Sequence, residues 1–365
     1  MLGAVCMSKE VNFKTTSENG MDDLNWEAVR RYLQKHIDGL PDQPLMVSQF
    51  QAGASNLTFL IQCGDWEAVL RRPPSGPLPP KAHDVERESN IMSRLHPFFP
   101  YVPKPYLFCE DKSIIGVPFY VMERKNGLIF DKEFPMGITF SEADCKQVSY
   151  LVVDTMAELH SVDVKKAMLE EFGRPQGFLE RQVHGWIKRF QLCRTEEISV
   201  FESLSKWLVE NIPQSNEAVL IHNDYKLNNM LISEDLQKVE AVVDWELATI
   251  ADPLFDLGTT LGYWNQHDDP ELLKHGLPSI TANPSFINRR EFVERYAAKT
   301  KRDVSNLHFY LTFSYFRTAI VLQQMHYRWK IGASQDKRFA AFNNSVKVFM
   351  EHAYEHSLNK GNFRL

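Results

Sequence analysis

The spacing of hydrophobic residues changes period along this chain, and the change divides it. Between Asp23 and Ile37, Trp26, Val29, Leu33 and Ile37 recur at helical intervals among charged residues, which predicts an amphipathic helix stopped by Pro41 and Pro44. Short apolar runs follow at Met46–Phe50, Leu57–Gln62 and Glu67–Leu70, with Gly53 between the first two and Pro73-Pro74 after the third, the marks of three strands. The Pro-rich residues 73–82 carry no helical signal and read as a loop. Helical spacing returns at Val85–Leu95, closed by His96-Pro97, and two further strands are expected at Tyr106–Glu110 and Val117–Arg124. A mainly antiparallel sheet with one packed helix is the natural product of this order.

From about Ser141 the helical period takes over. Val148, Leu151, Val152, Thr155 and Leu159 form an apolar stripe, and helix-like stretches recur at 178–193, 201–211, 290–299, 305–329 and 336–356. Strand-like pieces at Val219–Ile221, Met230–Ile232 and Val239–Val243 interrupt them. The expected fold is α+β in two lobes: a small sheet-bearing lobe over 23–124, a charged and Gly-bearing hinge at 125–140, and a helical lobe over 141–365. The polar residues 1–22 are expected to be disordered. A chain of 365 residues suits two lobes around a cleft.

Composition narrows the function classes. Forty-one basic residues against 47 acidic ones leave a net charge of −6, which argues against nucleic acid as a partner. No apolar run approaches the roughly 18 residues of a membrane span. Cys6, Cys63, Cys109, Cys145 and Cys193 are scattered without metal-ligand spacing or a disulfide framework, and the start lacks a signal-peptide pattern. The expectation is an intracellular, cytoplasmic protein acting on a small molecule. The tail Phe363-Arg364-Leu365 loosely resembles a peroxisomal Ser-Lys-Leu ending and makes the peroxisome a weaker alternative.

The chemistry concentrates in Ile221-His222-Asn223-Asp224-Tyr225-Lys226-Leu227-Asn228-Asn229-Met230, followed by Val242-Val243-Asp244-Trp245-Glu246. A His, an Asp two residues on and an Asn five residues after that Asp, between short strands, match the catalytic loop of phosphoryl transfer. Attack of a hydroxyl on phosphate needs positioning, charge neutralisation and a proton acceptor. Asp224 is the candidate acceptor, with His222 bracing the loop. Asn229 and Asp244 are candidate magnesium ligands, since magnesium takes hard oxygen donors. Asp256, if buried, needs donors, and the catalytic-loop backbone is a plausible source.

Nucleotide contacts are expected at the turn Gln51–Asn56, where Gly53, Ser55 and Asn56 can present donors to phosphate, although a plain hairpin turn would look the same. Ala68-Val69-Leu70-Arg71 lies where a kinase carries its strand lysine, so Arg71 or Arg72 stands in that role with Glu88, or its rival Glu86, as acidic partner. An adenine ring would meet the backbone at about Glu123 to Lys125.

At these residues the chain resembles the aminoglycoside and choline kinase-like phosphotransferases. His222–Asn229 and Val243–Pro253 are similar, more narrowly, to the kinase-like domain associated with acyl-CoA dehydrogenases, as are Gly177–Val183, Ser314–Arg317, Gln323-Gln324 and Arg328. The likeness runs from about residue 25 to 355. It implies a two-lobed protein-kinase-like fold, ATP and magnesium as cofactors and a small hydroxylated substrate, suggesting a hydroxy acid or hydroxyacyl-CoA from the domain's usual company. Arg181, Trp186, Arg189, Trp264, Arg317 and Arg328 in the helical lobe are candidates for acidic or CoA-phosphate groups of the substrate, with Trp264 and Tyr263 preferred for their closeness to the metal loop. Two departures stand out: Asn223 replaces the usual Gly after the His, and Asn228 a frequent Asp. Asn223 and Arg71 favour the alternative of a nucleotide-binding pseudokinase scaffold; the intact Asp224, Asn229 and Asp244 set disfavours it. A metal-dependent hydrolase would want more ligands than these segments offer.

Overall fold

The computed structural model describes residues 24–50, 56–74, 84–215 and 217–359. The N-terminal segment, Gly53 and Ser55 of the expected phosphate turn, and the tail Phe363–Leu365 lie outside the described residues.

In chain order the elements are α1 (Trp26–His36), β1 (Met46–Gln49), β2 (Leu57–Cys63), β3 (Trp66–Arg72), α2 (Val85–Leu95), β4 (Pro105–Cys109) and β5 (Phe119–Glu123). Then come α3 (Glu142–Leu159), α4 (Phe178–Cys193), α5 (Phe201–Glu210), β6 (Val219–Ile221), β7 (Met230–Ile232), β8 (Val239–Val242) and β9 (Thr249–Ala251). The rest is helical: α6 (Pro253–Tyr263), α7 (Glu271–Gly276), α8 (Arg289–Thr300), α9 (Leu307–Lys330) and α10 (Phe342–Leu358). The expected α+β class is what the chain adopts, and among the described residues no helix is long and apolar enough to cross a membrane.

The chain sorts into two compact units. The first takes the described residues up to Phe130 with Val162–Leu169 and Leu227–Ala248. Its sheet runs in the order β1-β2-β3-β5-β4, antiparallel throughout. Asn25 caps α1 by accepting the Ala28 N–H at 2.9 Å, and the helix lays Trp26, Val29 and Leu33 on the sheet, Trp26 meeting Phe59 edge-on at 5.1 Å. Burying each of these side chains contributes about 2 kcal/mol. The hairpin β7–β8, read from sequence as part of the helical lobe, groups with this unit for a backbone reason. Leu128 and Ile232 exchange hydrogen bonds at 2.7 and 2.9 Å, and the Val242 N–H reaches the Tyr101 carbonyl at 2.7 Å.

The second unit holds Asp131–Ser161, Glu170–Lys226 and the described residues from Thr249. A capping box of Ser141 and Asp144 starts α3. The strand β6 pairs with β9, a three-residue strand not anticipated from sequence. Asp252 caps α6, its Oδ1 taking the Leu254 N–H at 2.7 Å, with Pro253 in the first turn. Helices α6 and α9 approach closely because α6 carries Gly258 and Gly262: a Cβ there would sit 2.6 Å from the Tyr310 Cβ and 2.2 Å from the Ser314 Oγ. The last expected helix begins later than predicted, at Phe342, because Asp336 bonds the Arg338 N–H at 3.0 Å and starts a 3-10 turn, Lys337–Ala341.

Candidate active site

The first unit gathers one half of the predicted chemistry. Alternation along β3 turns Arg71 and Arg72 to opposite faces. Arg71 donates to Glu88 Oε1 at 2.7 Å and to Asp244 Oδ1 at 3.0 Å, and Glu88 Oε1 also accepts the Trp245 N–H at 3.2 Å. Arg72 instead lies 5.9 Å from the Phe59 ring and donates to the Pro73 carbonyl at 3.2 Å. Of the two pairs left open by sequence, Arg71 with Glu88 is therefore the one that forms; Glu86 is exposed. All three charges of the Arg71, Glu88 and Asp244 cluster are buried. Burial pushes the Glu88 carboxyl up to about 7 against the pull of Arg71. Burial likewise opposes the Arg71 charge, but Glu88 and Asp244 outweigh it and raise its pKa.

The hairpin sets Asn229 and Asp244 at one end. Met230 pairs with Val242, and the Val243 N–H donates to the Asn229 carbonyl at 2.9 Å, so residue 229 stands opposite the neighbour of Asp244. Both side chains are buried. Asp244 holds φ at +73°, a left-handed conformation that costs a non-glycine residue energy and recurs where function fixes the backbone. Asn56 Nδ2 donates to Glu246 Oε2 at 3.2 Å, tying the start of β2 to the segment after Asp244. At the expected adenine edge, the Glu123 N–H is spent on the Lys104 carbonyl at 2.8 Å, and the Glu123 carboxylate takes Lys125 Nζ at 2.8 Å. Those two side chains engage each other.

The second unit carries Asp224. The His222 and Asn223 N–H groups each donate to an oxygen of Asp256 at 2.7 Å, and His160 Nε2 lies 3.3 Å from the same carboxylate. The buried Asp256 thus finds its donors in the loop backbone, as expected. Asn223 sits at φ +66°. Gly reaches that region freely and Asn is among the few other residues that tolerate it, so the departure from Gly leaves the turn intact. His222 Nδ1 accepts the Asp224 N–H at 3.3 Å, a bracing position.

The Asp224 carboxylate takes Lys226 Nζ at 2.9 Å, and burial, together with the carboxylate's charge, raises the pKa of the Tyr263 phenol. Burial works against its charge, but the Lys226 ammonium outweighs burial and holds the carboxyl below its usual range. Lys226 Nζ also lies 5.4 Å from the Tyr263 ring centre. Sequence reasoning assigned Lys226 no role; its one signal is a cation two residues after the candidate acceptor.

The other substrate-side candidates separate. Trp264 is core, its indole N–H bonding the Ile287 carbonyl at 2.8 Å. Arg181 braces its own turn, bonding the Gln176 carbonyl at 2.5 Å and that of Arg174. Arg328 is exposed. Arg189 and Arg317 both lie on Trp186, their guanidinium carbons 4.4 and 5.4 Å from its ring centre.

A model of the phosphotransferase enzyme family matches residues 47–277, more than half of the chain. The chain belongs to this family. The phosphotransferase is 34% identical over 332 residues to acyl-CoA dehydrogenase family member 11 of Homo sapiens, a match covering 89% of this chain and 42% of the relative. It spans less than half the length of the curated relatives it matches. Among solved structures, an aminoglycoside phosphotransferase-like protein of Ralstonia eutropha is 29% identical, with a TM-score of 0.79 over 92% of this chain and 98% of its own. An aminoglycoside phosphotransferase bound to ADP and hygromycin B shares the fold at 14% identity, with a TM-score of 0.56 over 91% of this chain and 98% of its own. The expected kinase-like phosphotransferase fold is thereby met.

Proposed function

We propose that this phosphotransferase moves the terminal phosphoryl group of ATP, with magnesium, onto a hydroxyl of a small molecule, in the class of hydroxy acids or hydroxyacyl-CoA thioesters. The observation that carries the reading is the placement of Asn229 and Asp244 at one end of the β7–β8 hairpin, buried and paired through the Val243 N–H to Asn229 carbonyl bond of 2.9 Å. An amide oxygen and a carboxylate are the hard donors magnesium accepts beside water and phosphate oxygens, so the residues present fit that ion. Bound there, magnesium would neutralise charge on the nucleotide's phosphates.

Within this reading Arg71, fixed by Glu88, presents a guanidinium to phosphate oxygens, a contact arginine makes as well as lysine though with a forked geometry. Asp224 receives the proton of the acceptor hydroxyl as its oxygen bonds to phosphorus and the bond to ADP breaks. The lowered pKa of Asp224 keeps it ionised and ready near neutral pH. Lys226 holds that carboxylate in place. The acyl-CoA class is supported by the names of the relatives, which share this region as part of a longer protein. Arg71 and Asn223, the two features that favoured a scaffold, both take positions compatible with activity.

The test is a screen of hydroxy acids and their CoA thioesters for ATP consumption, beside a thermal-shift titration with ATP with and without magnesium. The expected result is turnover with at least one acceptor and a magnesium-dependent shift that Asp244→Ala reduces at least tenfold in apparent affinity. A shift indifferent to magnesium in the wild type, or unaltered in Asp244→Ala, contradicts the proposal.

A further inference from the structure

We infer that Arg317, with Arg189 beside it, forms an oxyanion-binding subsite next to Asp224, taking a carboxylate or phosphate group of the molecule whose hydroxyl is phosphorylated. The inference rests on the proposed role of Asp224 and adds the residues that choose the acceptor.

Arg317 projects from α9, partly buried, onto two aromatic faces: its guanidinium carbon lies 4.7 Å from the Phe255 ring centre and 5.4 Å from that of Trp186. Its hydrogen bonds go to neutral acceptors, Thr259 Oγ1 at 3.0 Å and Asn223 Oδ1 at 3.1 Å. It forms no ion pair among the described residues. The carboxylates whose charge reaches it, Asp224 and Asp256, are already engaged. Asp224 holds Lys226, and Asp256 takes two backbone N–H groups with His160 alongside.

Half-buried guanidinium without a counter-ion is costly for a fold to keep, because desolvation is not offset by an opposite charge. Here the protein supplies a flat aromatic bed instead, which orients the fork while leaving its charge unneutralised. A second guanidinium, the exposed Arg189, stacks on the same indole at 4.4 Å. Two like charges on one ring repel, and a bound anion would relieve that repulsion. The location gives the subsite its purpose: the Arg317 fork bonds the side chain of the residue preceding Asp224. A glycine at position 223 would offer no such acceptor.

Calorimetric titration of the full chain, without nucleotide, tests the inference with three matched probes: 3-hydroxybutyrate, 3-hydroxybutanoyl-CoA and the neutral 1,3-butanediol. Wild type should bind at least one anionic probe about tenfold or more tightly than the diol. A preference for the acid marks a carboxylate subsite, and one for the thioester a phosphate subsite. Arg317→Gln should lose about 10- to 100-fold of that preference, the scale of a charged hydrogen-bonded contact, while diol binding stays unchanged. Arg317→Lys should recover part of it. Arg189→Gln, at an exposed position, should lose about threefold and decides the matter if Arg317→Gln fails to fold. Equal binding of all three probes, or anion binding unchanged in Arg317→Gln or, failing that, Arg189→Gln, overturns the inference. The two proposals fail separately. Anion binding lost in Arg317→Gln with no ATP-dependent phosphorylation of any probe keeps the subsite and sinks the kinase reading. Phosphorylation with an unchanged KM in Arg317→Gln does the reverse.

Discussion

Two arginines in this protein, one buried and one half-buried, live in opposite circumstances. In the first unit Arg71 lies between Glu88 and Asp244, every charge held by another charge. In the second, Arg317 rests on rings and neutral acceptors. Both are guanidinium groups taken from water, and only one has been compensated. The difference separates a charge that the fold itself holds in place from one whose compensation it leaves to a ligand. The Arg71 cluster fixes the positions of α2 and of the segment after Asp244 before anything binds. Arg317 is a charge held ready.

Breaking the first circumstance should have the largest effect on stability. Glu88→Ala leaves a buried guanidinium with Asp244 alone and removes the acceptor of the Trp245 N–H. Removing one partner of a buried ion pair costs about 3–5 kcal/mol. Urea titration should show the loss, and a change under about 1 kcal/mol would mean the cluster does not organise this unit. The same experiment on Arg317→Gln sharpens the contrast. Removing an uncompensated charge should leave stability within about 1 kcal/mol of wild type, or raise it. A loss as large as that of Glu88→Ala would show that the fold depends on Arg317 as it does on the Arg71 cluster.

The smallest single effect should come from Asn223→Gly, in the loop that Arg317 touches, read against a larger one from Asn223→Val. Asn223→Gly keeps the left-handed turn and should change stability by under about 0.5 kcal/mol, whereas Asn223→Val forces a branched residue into that region at about 1–2 kcal/mol. Equal melting temperatures for the two variants would mean that the backbone conformation at 223 is not what Asn was retained for.

Much of this was legible in the sequence where the determinants are local. The helices at 85–95 and 178–193 follow from apolar spacing and flanking stop signals, and their bounds agree with α2 and α4. Asp256 could be assigned its donors because a buried first-turn carboxylate must find some, and the loop backbone offered them. What escaped depends on distant partners. The strand β9 is three residues long and exists because β6 pairs with it. The choice between Arg71 and Arg72 rests on strand alternation, which needs the register of β3 rather than its composition. Arg317 bonds Asn223 across 94 positions, and no pattern along a single helix announces that. Trp264 was preferred to Arg181 and Arg317 for its closeness in sequence to the metal loop; it proved to be core and Arg181 a brace for its own turn, distinctions only packing can make.

Phosphoryl transfer in this reading turns on Asp224, and one paired measurement reaches it. Magnesium–ATP affinity and phosphoryl transfer to the best acceptor should be measured side by side for wild type and Asp224→Asn. Loss of a proton acceptor costs about 10²- to 10⁴-fold in turnover. The predicted result is nucleotide affinity unchanged within a few-fold and transfer reduced by about that factor. Full turnover by Asp224→Asn would contradict the assignment at its centre.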